Sequence, residues 1–336
     1  METLLFKASD ELLEKASVLL KSGEVVAVPT ETVYGLAANA FNTEAVRKIF
    51  AAKGRPQDNP LILHIGNISM LSSITDDISE LALQLADAFW PGPLTMIFSR
   101  KNDVPSETCG GLDTAAVRMP DNDFTRSLIE KCGFPLAAPS ANTSGKPSPT
   151  SAKHVLSDMN GKIPLIVDGG ECSCGVESTV ICFENSRIRV LRPGAVTPEM
   201  LSKYAEVVVD NGVLKQISSE EKVLSPGMKY KHYSPNAEVF VLNGTKEQID
   251  NFILNKSDNL IKIAVLCDEM KDISGVIKLP YGKTAYEQAE NLFSSLRKAD
   301  EFSCDEVYVK KPDINGIGLA VYNRLLRAAS FRIIDL

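Results

Sequence analysis

Apolar positions recur at helical spacing along residues 9–22, with Leu12, Leu13, Ala16, Leu19 and Leu20 on one face. Ser9 is placed to cap that helix and Gly23 to stop it. EVVAVPT (24–30) then reads as a buried strand ended by Pro29. TEAVRKIFAAK (43–53) returns to helical spacing, with Val46, Ile49 and Phe50 inward and Gly54 as C-terminal punctuation. PLILHIG (60–66) predicts a strand, and ISELALQLADAFW (78–90) a helix stopped by Pro91-Gly92-Pro93. LTMIFSR, AAVRMP, FPLAAPS, IPLIVDGG, STVICFE and RIRVLRPG read as strands between short connectors, which makes an α/β domain with a mixed sheet.

The pattern breaks over 210–236, where DNGVLKQISSEEKVLSPGMKYKHYSPN is polar, charged and weakly periodic. A connection of that length reads as a linker or a functional lid. Beyond it AEVFVL, IKIAVLCD and EVYVK predict strands alternating with helices such as TAYEQAENLFSSLRKAD, and NRLLRAASFRI closes a second, smaller α/β unit. The expected division is therefore 1–209 as a catalytic domain, 210–236 as a linker and 237–336 as a C-terminal domain. A chain of 336 residues is long enough to need two cores.

Composition narrows the function. Hydrophobic content of 44% and charged content of 24% are those of an ordinary globular protein. A net charge of −7 argues against bulk nucleic-acid binding, so any RNA contact is expected to be weak or indirect. Seven cysteines spread over the chain do not read as a secreted disulfide framework. The first residues carry acidic groups within their apolar pattern and lack a signal-peptide core. No segment approaches the roughly 18 uninterrupted apolar residues that span a bilayer, and the expectation is a cytoplasmic protein without membrane contact.

Several polar groups sit where ligands are held. Lys53 and Arg55 project from one Gly-Pro turn, a point charge beside a planar fork, and Asn59 follows with an amide; alone, this is also how a solvated basic turn looks. SANTSGKPSPT places Ser140, Asn142, Thr143, Ser144 and Ser148 directly after a strand, a place where α/β sheets bind ligands and where surface loops also run. No GxxxxGK[ST] or GxGxxG occurs there. Arg118 lies in an apolar frame and needs an anionic partner, either a ligand or a structural salt bridge. Arg192 ends a strand before a Pro-Gly turn. His64, between Leu63 and Ile65, reads as a core residue or a ligand contact, without the companions of a nucleophilic triad. Cys172 and Cys174 lack a second pair at zinc spacing, and no protein-held metal is expected. Lys229, Tyr230, Lys231, His232 and Tyr233 gather basic and aromatic groups in the linker, suited to a base and its phosphates.

Together these motifs resemble one family. Lys53-x-Arg55 with Ser140-x-Asn142 is similar to the KxR…SxN signature of the YrdC/Sua5 family. PTETVYGL (29–36), GLDTAAVRMP (111–120), APSAN (138–142), SGKPSPT (144–150), GVESTVI and LRPGAVT (191–197) resemble that family's blocks in its order. SPGMKYKHYSP followed by a second α/β unit resembles the long Sua5 form. The resemblance implies a YrdC-like twisted mixed sheet with a concave cavity, plus a Rossmann-like Sua5 domain. It implies synthesis of L-threonylcarbamoyladenylate from L-threonine, bicarbonate or carbon dioxide, and ATP, a nucleotidyl transfer that releases pyrophosphate. A tRNA threonylcarbamoyl transferase complex is the implied recipient, and Mg2+ the implied ion, bridged by the phosphates.

By the same resemblance Lys53, Arg55, Ser140 and Asn142 are catalytic, and Thr32, His64, Arg118, Ala138 and Ser178 hold threonine. Arg55, Asn59, Thr114, Ser140, Ser148 and Arg192 hold the nucleotide, with Tyr230, His232 or Ser234 covering it from the linker. Threonine's own amine is then the nucleophile, which accounts for a sequence without an evident Ser, Cys or Lys nucleophile. An RNA-binding protein and an enzyme using another carbamoyl source are the rivals, separated by whether pyrophosphate release depends on the amino acid.

Overall fold

The computed structural model describes residues 2–215, 232–257 and 261–336. Contacts gather these residues into two units, 2–144 with Ser148–Val213, and Gly145–Pro147 with 214–215 and 232 onward.

The first unit is built on one sheet. Its strands are β1 (Leu4–Lys7), β2 (Val26–Val28), β3 (Gly35–Asn39), β4 (Ile62–His64), β5 (Leu94–Ser99) and β6 (Thr114–Arg118). They continue with β7 (Leu136–Ala137), β8 (Leu165–Asp168), β9 (Thr179–Glu184), β10 (Arg187–Arg192) and β11 (Val207–Val209). Their order across the sheet is β1-β8-β2-β3-β7-β4-β6-β5-β9-β10-β11, with parallel and antiparallel pairings mixed. Helices α1 (Asp10–Lys21), α2 (Thr43–Lys53), α3 (Glu80–Phe89), α4 (Asp123–Cys132), α5 (Ala152–Met159) and α6 (Pro198–Leu201) connect them.

Period-two packing explains the unbroken apolar runs. Val26 and Val28 of β2 and Leu165 and Val167 of β8 enter one core cluster, while Val25, Ala27 and Ile166 enter the other. A strand buried on both faces loses the alternation that marks a half-exposed one. The helix ends follow side-chain chemistry: Ser9 caps α1 by accepting from Leu12 N, and Asn42 caps α2 by accepting from Glu44 N and Ala45 N.

Several elements depart from the sequence reading, among them α6 and β11, which it did not predict. β1 and β3 are additional strands; GLAAN is rich in small residues of weak β preference, and its place between β2 and β7 makes it a strand. Two stretches read as connectors are helices. Asn122 caps α4 and Gly133 ends it, and Ser151 caps the short α5. FPLAAPS is a regular strand over only Leu136–Ala137, and beyond it Ser140 makes an isolated antiparallel bridge to Gly35.

The second unit carries β12 (Glu238–Asn243), β13 (Ile263–Leu266), β14 (Val276–Leu279), β15 (Glu306–Lys310) and β16 (Ile333–Asp335). All pair in parallel in the order β14-β13-β15-β12-β16. Helices α7 (Lys246–Ser257), α8 (Ala285–Glu301) and α9 (Gly318–Ala328) provide crossovers. α9 is buried along its whole length, and its Arg324 lies 5.9 Å from the Tyr233 ring centroid. Among the described residues no helix is long and apolar enough to cross a membrane.

Candidate active site

α2 ends at Lys53 because Gly54 takes the left-handed conformation, φ 63°, at its C-cap. Lys53 is consequently the last helical residue, and its side chain turns inward and is buried. Its Nζ donates to Ser140 O, to Asn142 O at 2.7 Å and to Asn142 Oδ1 at 3.4 Å. Ser140 Oγ donates to the same Oδ1 at 2.5 Å. Backbone bonds tie the loop from both sides: Ser144 N donates to Lys53 O at 2.8 Å and Ala141 N to Tyr34 O at 2.8 Å. Thus Lys53 and the Ser140-x-Asn142 segment form one fastened unit. A cavity of about 700 Å³ borders Lys53, Gly54 and Thr143, with Lys48 and Lys162 also on its wall.

Arg55 and Asn59 make a second group. Arg55 Nε donates to Asn59 O at 3.4 Å and Nη2 to Pro60 O at 3.1 Å. Asn59 Oδ1 is buried without a hydrogen-bond partner among the described residues, an acceptor held dry.

The third group centres on Arg118, the last residue of β6. Parallel pairing of β4 with β6 sets His64 opposite Arg118. Arg118 Nη1 donates to Thr32 Oγ1 at 2.8 Å and Nε to Gly92 O at 3.2 Å. Burial first, and then the Arg118 charge, lowers His64 to about 3, so the imidazole is neutral at physiological pH. Ala138, just beyond the end of β7, donates its N to Ile62 O at 3.0 Å.

Glu31, absent from the sequence-derived candidates, completes this group. Its Oε2 lies 2.5 Å from Arg118 Nη2, with side chains only 8% and 4% exposed. The two meet charge to charge without hydrogen-bond alignment, so both Glu31 oxygens and Arg118 Nη2 have no hydrogen-bond partner among the described residues. Glu31 stands between Thr30 and Thr32 after Pro29, without the apolar frame that singled out Arg118, so its only signal was its place in the PTETVYGL block.

The last group joins two predicted sets. Arg192 donates from Nε to Ser178 O and from Nη2 to Ser178 Oγ, both at 3.1 Å. Ser178 Oγ also meets Thr95 Oγ1 at 2.7 Å. Gly194 permits this fold-back, since a Cβ there would stand 2.4 Å from Thr179 N. Ser148 Oγ donates to Glu177 Oε1 at 2.5 Å. Thr95 and Glu177 were also missed, and nothing in their local sequence marks them. Thr114 opens β6 and is half-buried, paired across to Ser99. Tyr230 lies outside the described residues, while His232 and Ser234 belong to the second unit. Among the described residues no group of three or more His, Cys, Asp or Glu side chains gathers as a metal site.

Residues 18–194 match the Sua5/YciO/YrdC family model, described as telomere recombination. Residues 196–330 match the model described as threonylcarbamoyl-AMP synthase, C-terminal domain. A threonylcarbamoyl-AMP synthase from Bacillus subtilis is 44% identical, covering 97% of this chain and 95% of the relative. One from Pyrococcus abyssi is 45% identical, covering 95% and 94%. The crystal structure of P. abyssi Sua5 complexed with L-threonine matches with a TM-score of 0.92 at 42% identity, covering 100% of this chain and 99% of that one. The chain belongs to the Sua5/YciO/YrdC family, in the form that carries the Sua5 C-terminal domain.

Proposed function

We propose that this chain is an L-threonylcarbamoyladenylate synthase, joining L-threonine, bicarbonate or carbon dioxide, and ATP, and releasing pyrophosphate, for the threonylcarbamoyladenosine modification of tRNA. The observation that carries the reading is the likeness, over nearly the full length of both chains, to relatives named threonylcarbamoyl-AMP synthase. The chemistry is a nucleotidyl transfer. Threonine's neutral amine adds to carbon dioxide, or to bicarbonate with loss of water, and sheds a proton to give a carbamate; a carbamate oxygen then attacks the α-phosphorus and the bond to pyrophosphate breaks.

The geometry suits that sequence of events. Arg118 takes the amino-acid carboxylate, with Thr32, neutral His64, Ala138 and Ser178 around it. Arg55, Asn59, Thr114, Ser140, Ser148 and Arg192 take the nucleotide, and Asn59 Oδ1 offers a dry acceptor. Lys53 holds Ser140 and Asn142 in place. Ser178 and Arg192, one from each set, are hydrogen-bonded to each other, so the junction of the two sets is where nucleophile and α-phosphorus meet. Such transfers depend on positioning and fixed charge more than on covalent help from the protein. The donors here are cations, hydroxyls and amides, which fit a magnesium ion borne by the phosphates rather than one held by the chain; when bound, it neutralises phosphate charge. The product passes to a tRNA threonylcarbamoyl transferase complex.

The test incubates the protein with ATP, magnesium, labelled bicarbonate and L-threonine. A labelled adenylate and one pyrophosphate per adenylate are expected, both dependent on threonine. Arg55→Ala and Ser140→Ala should each slow formation by on the order of 100-fold. Pyrophosphate release indifferent to threonine would rule the reading out.

A further inference from the structure

The buried ion pair of Glu31 and Arg118 poses a problem that the proposed chemistry leaves open. If Arg118 takes threonine's carboxylate, Glu31 must leave it, and a carboxylate stranded in a dry site costs several kcal/mol. Its surroundings offer little relief. Neither Glu31 oxygen accepts a hydrogen bond among the described residues. The neighbouring thiols bring no positive charge: burial first, and then Glu31 itself, pushes Cys174 up to about 11 and Cys172 further still, so both stay neutral beside the carboxylate.

The backbone beneath Glu31 is fixed while its carboxylate is not. Thr30 Oγ1 accepts from Thr32 N at 3.2 Å and Val33 N at 3.3 Å, and donates to Val33 O at 2.7 Å. Glu31 O accepts from Cys174 N at 2.8 Å. Only side-chain rotation is needed to move the carboxylate off Arg118.

We propose that Glu31 is a specificity-determining residue that holds the seat of the substrate carboxylate and, once displaced, becomes the counter-ion of the substrate ammonium. The inference rests on the proposed function. Its basis is charge balance. A zwitterion brings one anion and one cation attached to the same carbon, and a buried ion pair can exchange partners with it without stranding either charge. Arg118 passes from Glu31 to the amino-acid carboxylate, and Glu31 passes from Arg118 to the ammonium. A ligand with the carboxylate alone evicts Glu31 and gives it nothing. The pair therefore selects for α-amino acids over hydroxy acids and simple carboxylates before the amine reacts.

The probe is 3-hydroxybutyrate, which keeps threonine's carboxylate and hydroxyl but lacks the ammonium. Isothermal titration and competition give its affinity relative to threonine for wild type, Glu31→Gln and Glu31→Asp, with thermal melts reporting folding. Wild type should prefer threonine by about 30-fold or more, the ratio set by a buried charge pair. Glu31→Gln should reduce the preference to about threefold or less, since threonine loses its cation partner and the analogue no longer evicts a charge. Glu31→Asp, which draws the carboxylate back by one methylene, should cut it about tenfold and carries the test where the glutamine variant does not fold. Equal binding of both ligands to wild type, or an unchanged preference in a folded variant, overturns the inference alone. Threonine failing to bind wild type at all would remove the proposed function and this inference with it.

Discussion

Two buried cations in the first unit are used in opposite ways. Lys53 is fastened to backbone and amide oxygens of Ser140 and Asn142, several hydrogen bonds from one ammonium. Arg118 meets Glu31 as a bare charge pair, without hydrogen-bond alignment on either side. The first arrangement fixes a loop, because every donor has a directional acceptor and the loop cannot drift without breaking several bonds at once. The second is directional only where Arg118 donates to Thr32 and Gly92, and toward Glu31 it fixes nothing by direction. It keeps a charge neutralised in a form that another ion can replace. One site thus pairs a preorganised wall with an exchangeable one.

Breaking the exchangeable pair from one side should have the largest effect. Arg118→Ala leaves Glu31 as a buried, uncompensated carboxylate and should cost about 3–5 kcal/mol in urea unfolding. Adding Glu31→Gln should recover most of that loss while threonine binding, followed by calorimetry, stays abolished. Equal stability of the single and double variants would mean that the two charges are not coupled. Removing the fastener comes next. Lys53→Met deprives Ser140 O and Asn142 O of their donor, at about 1–3 kcal/mol each if they remain dry. Hydrogen exchange should report loosening over residues 138–144, and adenylate formation should fall by on the order of 100-fold as Ser140 is misplaced. A variant with unchanged exchange and unchanged turnover would show that the clamp is not what positions the loop.

The contrast also marks what was legible in the sequence. Lys53, Ser140 and Asn142 stood out as turn and loop chemistry, and Arg118 as a charge in an apolar frame; the fold brings each to a described cluster. Glu31 lacked that frame: it sits after Pro29 and between Thr30 and Thr32, where a carboxylate reads as turn chemistry. The Thr30 turn and the hydrogen bond from Arg118 to Thr32, contacts between distant parts of the chain, bring it against the guanidinium. Helix caps and long amphipathic runs were read to within a residue or two, as in α1 and α2. β3 was not, because GLAAN becomes a strand through its neighbours and not through its own preference. Thr95 and Glu177 are invisible for the same reason: their partners, Ser178 and Ser148, lie 83 and 29 residues away.

The smallest expected effect sharpens the contrast through His64, which faces the exchangeable pair. Its ordinary value is 6.5 and its folded value about 3, with burial the larger cause and the Arg118 charge the second. The unfolded chain therefore binds a proton that the folded chain refuses. The stability held above pH 6.5 is lost as pH falls from there toward 3, by about 2 kcal/mol at pH 5. His64→Asn should remove that component, so its stability should converge on that of wild type as the medium is acidified. Nuclear magnetic resonance titration of the imidazole in the Arg118→Ala, Glu31→Gln double variant separates the two causes. Loss of the guanidinium should raise the His64 value, while burial keeps it below 6.5. A value that does not move would mean that Arg118 exerts no field on its strand neighbour, and that its charge is already spent on Glu31 before any ligand arrives.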